Sequence, residues 1–214
     1  MTAVNSEFAR APVQARSLRT RATILAAAHQ MAQAGGLGAL RAEALARSAG
    51  VAKGTIFAHF PDMQHLIAAL VAERLAGLPG PGAPDTLDSL IAAMHPALHF
   101  MVSDAHVVPA LARFSGPDGQ GLGIDMALCA LITALADAIA HLQARGAVSD
   151  GNPTLLAEGL MAFAVHASAA SLCGSAPAAV TEKTPGNDHG LGTACNSAQA
   201  LFGLLARRWL SSPG

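Results

Sequence analysis

The sequence predicts an all-α protein with two helical domains, and three observations carry that prediction. Ala and Leu dominate, and Ala-rich apolar stretches recur at helical spacing along the chain. Runs of β-branched or aromatic residues alternating with period two, the signature of strands, are scarce. Gly and Pro cluster mainly between the apolar stretches, where they end helices. The 214 residues are 52% hydrophobic and 13% charged, with a mean hydropathy of +0.40. An ordinary domain carries about 25% charge, so this chain is apolar enough to exclude global disorder.

The elements follow in order. Residues 1–17 are polar and aperiodic and read as a flexible basic arm. A first helix fits 18–34, with Leu18, Ile24, Leu25, Ala28, Met31 and Ala32 on one face and Gly35-Gly36 ending it. Short helices fit 41–48 and 52–58, with Gly50 between them. A longer helix runs from Asp62, a candidate N-cap, to about 75. Residues 77–84 read Gly-Leu-Pro-Gly-Pro-Gly-Ala-Pro, which no helix survives, so the domain boundary is placed there, between 18–76 and 85–214. Further helices are expected at 85–102, 105–114, 122–145, 153–173 and 194–210, with a kink at Pro96 and long loops at 116–123 and 174–192.

Charge divides at the same boundary. The formal net charge is −1, but residues 1–76 hold eight basic against four acidic residues, and residues 77–214 hold five against ten. A +4 head and a −5 body suggest that one part meets a polyanion and the other does not. The N-terminus lacks the apolar segment of a signal peptide, and three widely separated cysteines make no disulfide framework. The most apolar stretch, residues 126–136, is 11 residues long and is closed by Asp125 and Asp137, whereas a membrane span needs about 20. A soluble, cytoplasmic protein without a membrane partner is therefore expected.

The segment from Leu45 to Phe60 carries the strongest signal. A short helix, a turn at Gly50 and a second short helix make a helix-turn-helix, whose second helix fits a major groove about 12 Å wide. Ala46 and Ala49 are small enough for the helices to cross closely, and Val51 and Ile56 fill the seam. Gly54 allows close approach to a sugar-phosphate chain, while Lys53 and Thr55 offer donors to phosphates.

Residues 21–70 resemble the TetR family of transcriptional regulators, about a quarter of the chain. The resemblance rests on Ile24-Leu25-x-Ala27-Ala28, Gly36, Leu45-Ala46-x-x-Ala49-Gly50-Val51, Lys53-Gly54-Thr55-Ile56-Phe57-x-His59-Phe60 and Leu66. It implies a DNA-binding head followed by a larger helical domain for ligand binding and dimerisation. The candidate DNA contacts are Arg19, Arg21, Arg41, Ala52, Lys53, Gly54, Thr55, Phe57 and His59. Ala52 stands where the family usually has Ser or Thr, Phe57 where it has Tyr, Met63 where it has Lys, and Arg41 where it has a capping Thr. Three phosphate donors are thus absent, and binding weaker or less salt-dependent than typical is expected, with Arg10, Arg16, Arg19 and Arg21 as compensating contacts.

In the second domain an apolar bundle suits a small-molecule effector. The candidate lining residues are Met94, Leu98, Met101, Phe114, Met126, Cys129, Met161, Phe163 and His166. A metal-sensing alternative rests on His95 and His99, spaced i, i+4, with His106 nearby and Cys129 as a soft ligand, although Pro96 perturbs the geometry. No cofactor is expected. For a homodimer, helices 153–173 and 194–210 offer Ala162, Ala167, Ala169 and Ala170 for close approach and Leu201, Leu204, Leu205 and Trp209 as apolar area. The sequence has no HExxH, G-x-S-x-G, Walker or CxxC motif, so an enzyme is not expected. The expected function is a ligand-responsive regulator, a repressor that binds a palindromic operator as a dimer. The alternative is a helical adaptor or sensor with weakened DNA binding.

Overall fold

The structure, a computed structural model, describes residues 5–115, 123–175 and 191–211, and its side chains are described from residue 14 onward. Among these residues there are α-helices and a 3-10 turn and no strand. The helices are α1 (Asn5–Gly35), α2 (Ala42–Ala49), α3 (Lys53–His59), α4 (Met63–Ala76), α5 (Leu87–Ala93), α6 (His95–Ser103), α7 (Val107–Phe114), α8 (Ile124–Ala144), α9 (Pro153–Leu172) and α10 (Leu191–Leu210).

The chain folds as two compact units, Met1–Leu70 and Val71–Gly214. The division falls within α4, ahead of the Gly/Pro segment at 77–84 where the boundary is expected from composition. A Gly/Pro run marks where a helix stops, but not where one helix passes from one packed body to the next.

In the N-terminal unit α1 packs on α2, and α2 on α3. Ile24, Leu45, Ile56, Phe60 and Leu66 are fully buried and form its core. Each of those side chains contributes roughly 1.5–3 kcal/mol by leaving water. Gly36 and Gly50 both take positive φ, 76° and 65°, at the ends of α1 and α2. At Gly50 the N–H caps the last turn of α2 by bonding Ala46 O and Arg47 O, so the turn between the two short helices is set by backbone conformation. Two expectations change here. The helix begins at Asn5, so most of the expected arm at 1–17 is helical. Leu18, placed on the buried face, is 62% exposed, because that face acquires packing partners only from Ile24 onward.

In the C-terminal unit α9 is the central helix and packs against α6, α7, α8 and α10. Ala157, Leu160, Ala164 and Ala167 form its buried stripe. Its start is fixed by Asn152, whose side chain accepts from the N–H groups of Thr154 and Leu155. The end of α10 is fixed from afar: Leu210 O accepts from both Ser149 N (2.9 Å) and Ser149 Oγ (2.8 Å). Thr86 and Ser89 form a reciprocal capping box at the start of α5.

The single kinked helix expected at 85–102 is two helices joined at Met94. Pro96 sits in the first turn of α6, where its missing N–H has no helical partner to lose. The expected loops at 116–123 and 174–192 lie outside the described residues, apart from Gly123, Gly174, Ser175 and the start of α10, which begins at Leu191 rather than 194.

The most apolar stretch, residues 126–136, lies within a longer helix. Helix α8 continues through Asp137 to Ala144, and both α8 and α9 are long and apolar enough, by length and composition, to cross a membrane. Both are packed helices of the C-terminal unit, with 33% and 39% of their apolar windows buried within it. The core helices of a helical bundle meet the same criterion.

Candidate nucleic-acid interface

Helices α2 and α3 are eight and seven residues long, too short to persist alone. Burial of Leu45, Ala46, Ile56 and Phe60 against α1 and one another holds them in place. That burial fixes which side of α3 faces outward: Ala52, Lys53, Gly54, Phe57 and Ala58 are exposed, while Thr55 and His59 are half-buried. The outward strip therefore contains four of the expected contact residues, with Thr55 and His59 at its border.

Gly54 is informative by what surrounds it. A Cβ built there would meet nothing within 4 Å, and its backbone is ordinary helix. Packing within the chain therefore does not require a glycine at this position, and its outward backbone is open. Ala52 occupies the N-cap of α3 and supplies no side-chain hydrogen bond. In the first turn of α3 the Thr55 N–H donates to Ala52 O (2.9 Å).

Of the expected cations, two arginines prove to be engaged within the unit by backbone carbonyls. Arg21 donates from Nη1 to His59 O (3.2 Å), and its guanidinium lies 4.2 Å from the centroid of the Phe60 ring. It clamps the C-terminus of α3 to α1, so it orients the recognition helix instead of offering a free charge. Arg41 donates to Gly38 O and Leu40 O, both at 2.8 Å, and holds the turn that precedes α2. Arg16 and Arg19 are exposed on α1 and remain candidate contacts, whereas the Arg10 side chain lies outside the described residues.

Lys53 forms an ion pair with Glu43 in the first turn of α2, and its ammonium lies 6.0 Å from the Phe57 ring centroid. The Lys53 hydrogen bond, together with its charge, holds the Glu43 carboxyl below its usual range. Neither the role of Glu43 nor the clamp made by Arg21 is readable from spacing. Ten residues separate Glu43 from Lys53, a distance with no meaning on one helix; the crossing of α2 over α3 is what joins them. At the start of α4, Asp62 caps the helix as expected, accepting from His65 N (2.9 Å) and pairing with His65 Nδ1 (2.8 Å). The His65 side-chain bond holds the Asp62 carboxyl below its ordinary value.

The nine residues proposed to line an effector pocket do not share one environment. Met94, Leu98, Met101, Phe114 and Met161 are buried. Met126 (79% exposed), Cys129 and His166 face outward, and Phe163 meets Trp209 edge-to-face at 5.7 Å. An apolar residue type at helical spacing does not reveal which side of an Ala-rich helix turns inward. An open groove of about 360 Å³ between α5 and α10 is lined by Asp88, Ile91, His95, Gln199, Gly203 and Arg207 among others, and by none of those nine. Arg207 pairs with Asp88 at 2.8 Å along it.

The metal alternative loses its geometry. His95 is half-buried in that groove and His99 is exposed, while His106 pairs with Asp104. The described residues contain no group of three or more His, Cys, Asp or Glu that could hold a metal ion.

Two short helices about a glycine turn, with the second presenting Lys53, Gly54 and Phe57 outward, define a helix-turn-helix DNA-binding unit. Residues 24–70 match the bacterial regulatory proteins of the tetR family, so the N-terminal unit carries the DNA-binding helix-turn-helix of that family. No curated protein matches the sequence. Among solved structures, a Clostridium perfringens protein named as a fatty acid metabolism regulator shares the fold at 12% identity, with a TM-score of 0.50 over 88% of this chain and 96% of that one. A TetR-family transcriptional regulator of Mesorhizobium loti is similar at 19% identity and TM-score 0.49, covering 89% of this chain and 96% of that one. One from Rhodococcus sp. is similar at 22% identity and TM-score 0.48, covering 84% and 94%.

Proposed function

We propose that the chain is a cytoplasmic, ligand-responsive repressor, not an enzyme, that binds a palindromic operator as a homodimer and leaves it when a small apolar molecule occupies the C-terminal unit. The outward strip of α3, with Lys53, Gly54 and Phe57 exposed beside half-buried Thr55, is the observation that carries the DNA-binding half of this proposal. Exposed Leu155 (60%), Leu172 and Ala162 on α9, with Leu204 (55%) and Trp209 on α10, support dimerisation, since surface apolar area of this kind favours a partner. Ala167, Ala170 and Leu201, also expected at a dimer surface, are buried within the unit itself and supply core in place of interface. Buried Met94, Leu98, Met101, Phe114 and Met161 support an apolar effector, because flexible methionines repack around a guest at low cost. Such an effector acts by binding one arrangement of the two DNA-binding units more tightly than the other.

The test is a gel shift with the chain's own upstream DNA across a salt series, repeated with sedimentation to count subunits. Sequence-selective binding by a dimer supports the proposal. Binding absent at low salt favours the adaptor reading, for which uncapped Ala52 and Met63 in a phosphate donor's place are the specific support.

A further inference from the structure

We infer that Glu43 is a positioning residue that reserves Lys53: it holds the ammonium across the α2–α3 crossing in the free protein and surrenders it to a DNA phosphate on binding. The inference rests on the N-terminal unit being a DNA-binding unit. Lys53 begins the recognition helix and its side chain is 52% exposed; Glu43 sits in the first turn of α2 with its side chain 60% exposed. The two are joined by a direct Nζ–Oε1 hydrogen bond, and the Phe57 ring lies beside the ammonium.

An exposed pair of this kind gains little net stability, because water screens both charges. It is therefore weak enough for a phosphate to displace. It is also strong enough to hold the lysine in one place instead of letting it sweep solvent.

Exchange of partners has a thermodynamic signature. When a free lysine neutralises a phosphate, the phosphate's counterion is released, and the logarithm of affinity falls with that of salt with a slope near −0.9 per contact. When a paired lysine does so, Glu43 is left uncovered beside the duplex and recruits a cation. Part of the released salt is then taken back. Glu43 thus lowers both affinity and salt sensitivity, so that less of the complex depends on charge alone. Arg47, one turn along α2, also lowers the Glu43 carboxyl's proton affinity, so the carboxylate stays charged at neutral pH.

The experiment uses the full chain and a mixed-sequence DNA duplex, with fluorescence anisotropy read across a salt series. Glu43→Gln should bind about two- to fivefold tighter at low salt, with a slope steeper by up to about one for each DNA-binding unit. Lys53→Gln should bind more weakly with a shallower slope. In the Lys53→Gln background, Glu43→Gln should change neither quantity, because there is no lysine left to reserve. If Glu43→Gln alone leaves affinity and slope unchanged, the inference fails while DNA binding stands. If its gain persists without Lys53, Glu43 merely repels DNA and the inference fails in that way. If wild type and Glu43→Gln both ignore the duplex at every salt, the DNA-binding reading itself fails.

Discussion

The two units of this chain are built by different means. In the N-terminal unit single residues set the geometry: Gly50 makes the turn, Arg21 clamps the end of α3, and Phe60 fills the core beneath it. In the C-terminal unit long helices rich in Ala and Leu pack along their lengths, and α9 alone buries Ala157, Leu160, Ala164 and Ala167. A reader of DNA must place a few donors accurately, so its fold depends on particular side chains. The C-terminal helical body depends instead on apolar area distributed along its helices.

That contrast predicts where substitutions matter. Phe60→Ala should have the largest effect, about 3–5 kcal/mol, because it removes a fully buried ring and leaves a cavity. Thermal unfolding followed by circular dichroism should then show an early transition for the N-terminal unit and retained helicity from the rest. Loss of all helicity in one step would mean that the two units do not fold separately.

Trp209→Ala tests the other side of the comparison. Trp209 is 39% exposed and edge-to-face with Phe163, and a Cβ on Gly159 would stand 2.8 Å from its Nε1, so the indole lies flat against α9. If that surface joins two subunits, the dissociation constant measured by sedimentation should rise at least tenfold, roughly 1.4 kcal/mol or more, as for a central interface aromatic. An unchanged constant would move the dimer surface elsewhere.

Arg21→Gln should cost the N-terminal unit about 1 kcal/mol through the lost carbonyl bond and ring contact. The clamp makes a second prediction. The salt slope of DNA binding should stay near wild type, whereas a direct phosphate contact would make it shallower by about 0.9.

The smallest effect concerns pH. The Asp62 carboxyl is held below its ordinary value of 3.8 by its bond with His65. The folded state therefore gains stability from this group above that value and loses it as pH falls through 3.8 toward the lower folded value. Against Asp62→Asn, wild type should be the more stable at neutral pH and lose that advantage in acid.

How much of this was legible in the sequence follows the same division. Helix α1's end at Gly35-Gly36, the two short helices, the Gly50 turn and the Asp62 cap all appear where residue type and spacing place them, because each depends on local backbone chemistry. The Arg21 clamp and the Glu43–Lys53 pair were not legible, since both are made only when α1, α2 and α3 cross. In the C-terminal unit the helices themselves were legible, but their orientation was not. Ala on most faces leaves no clear stripe, and Met126 and Cys129, pocket candidates by residue type, face solvent. Pro96 within an apolar stretch predicts a kink, yet it stands in the first turn of a new helix, because a proline's tolerance depends on where a helix starts.

The most direct test of the central claim is selection of bound duplexes from a random DNA pool by the full chain, followed by sequencing. A dimer presenting two α3 helices should enrich a two-fold symmetric motif whose half-sites lie about 34–36 Å, one helical turn, or a multiple of that, apart. Lys53→Gln should weaken that enrichment. Recovery of no motif would contradict the account, and so would a motif that Lys53→Gln leaves untouched.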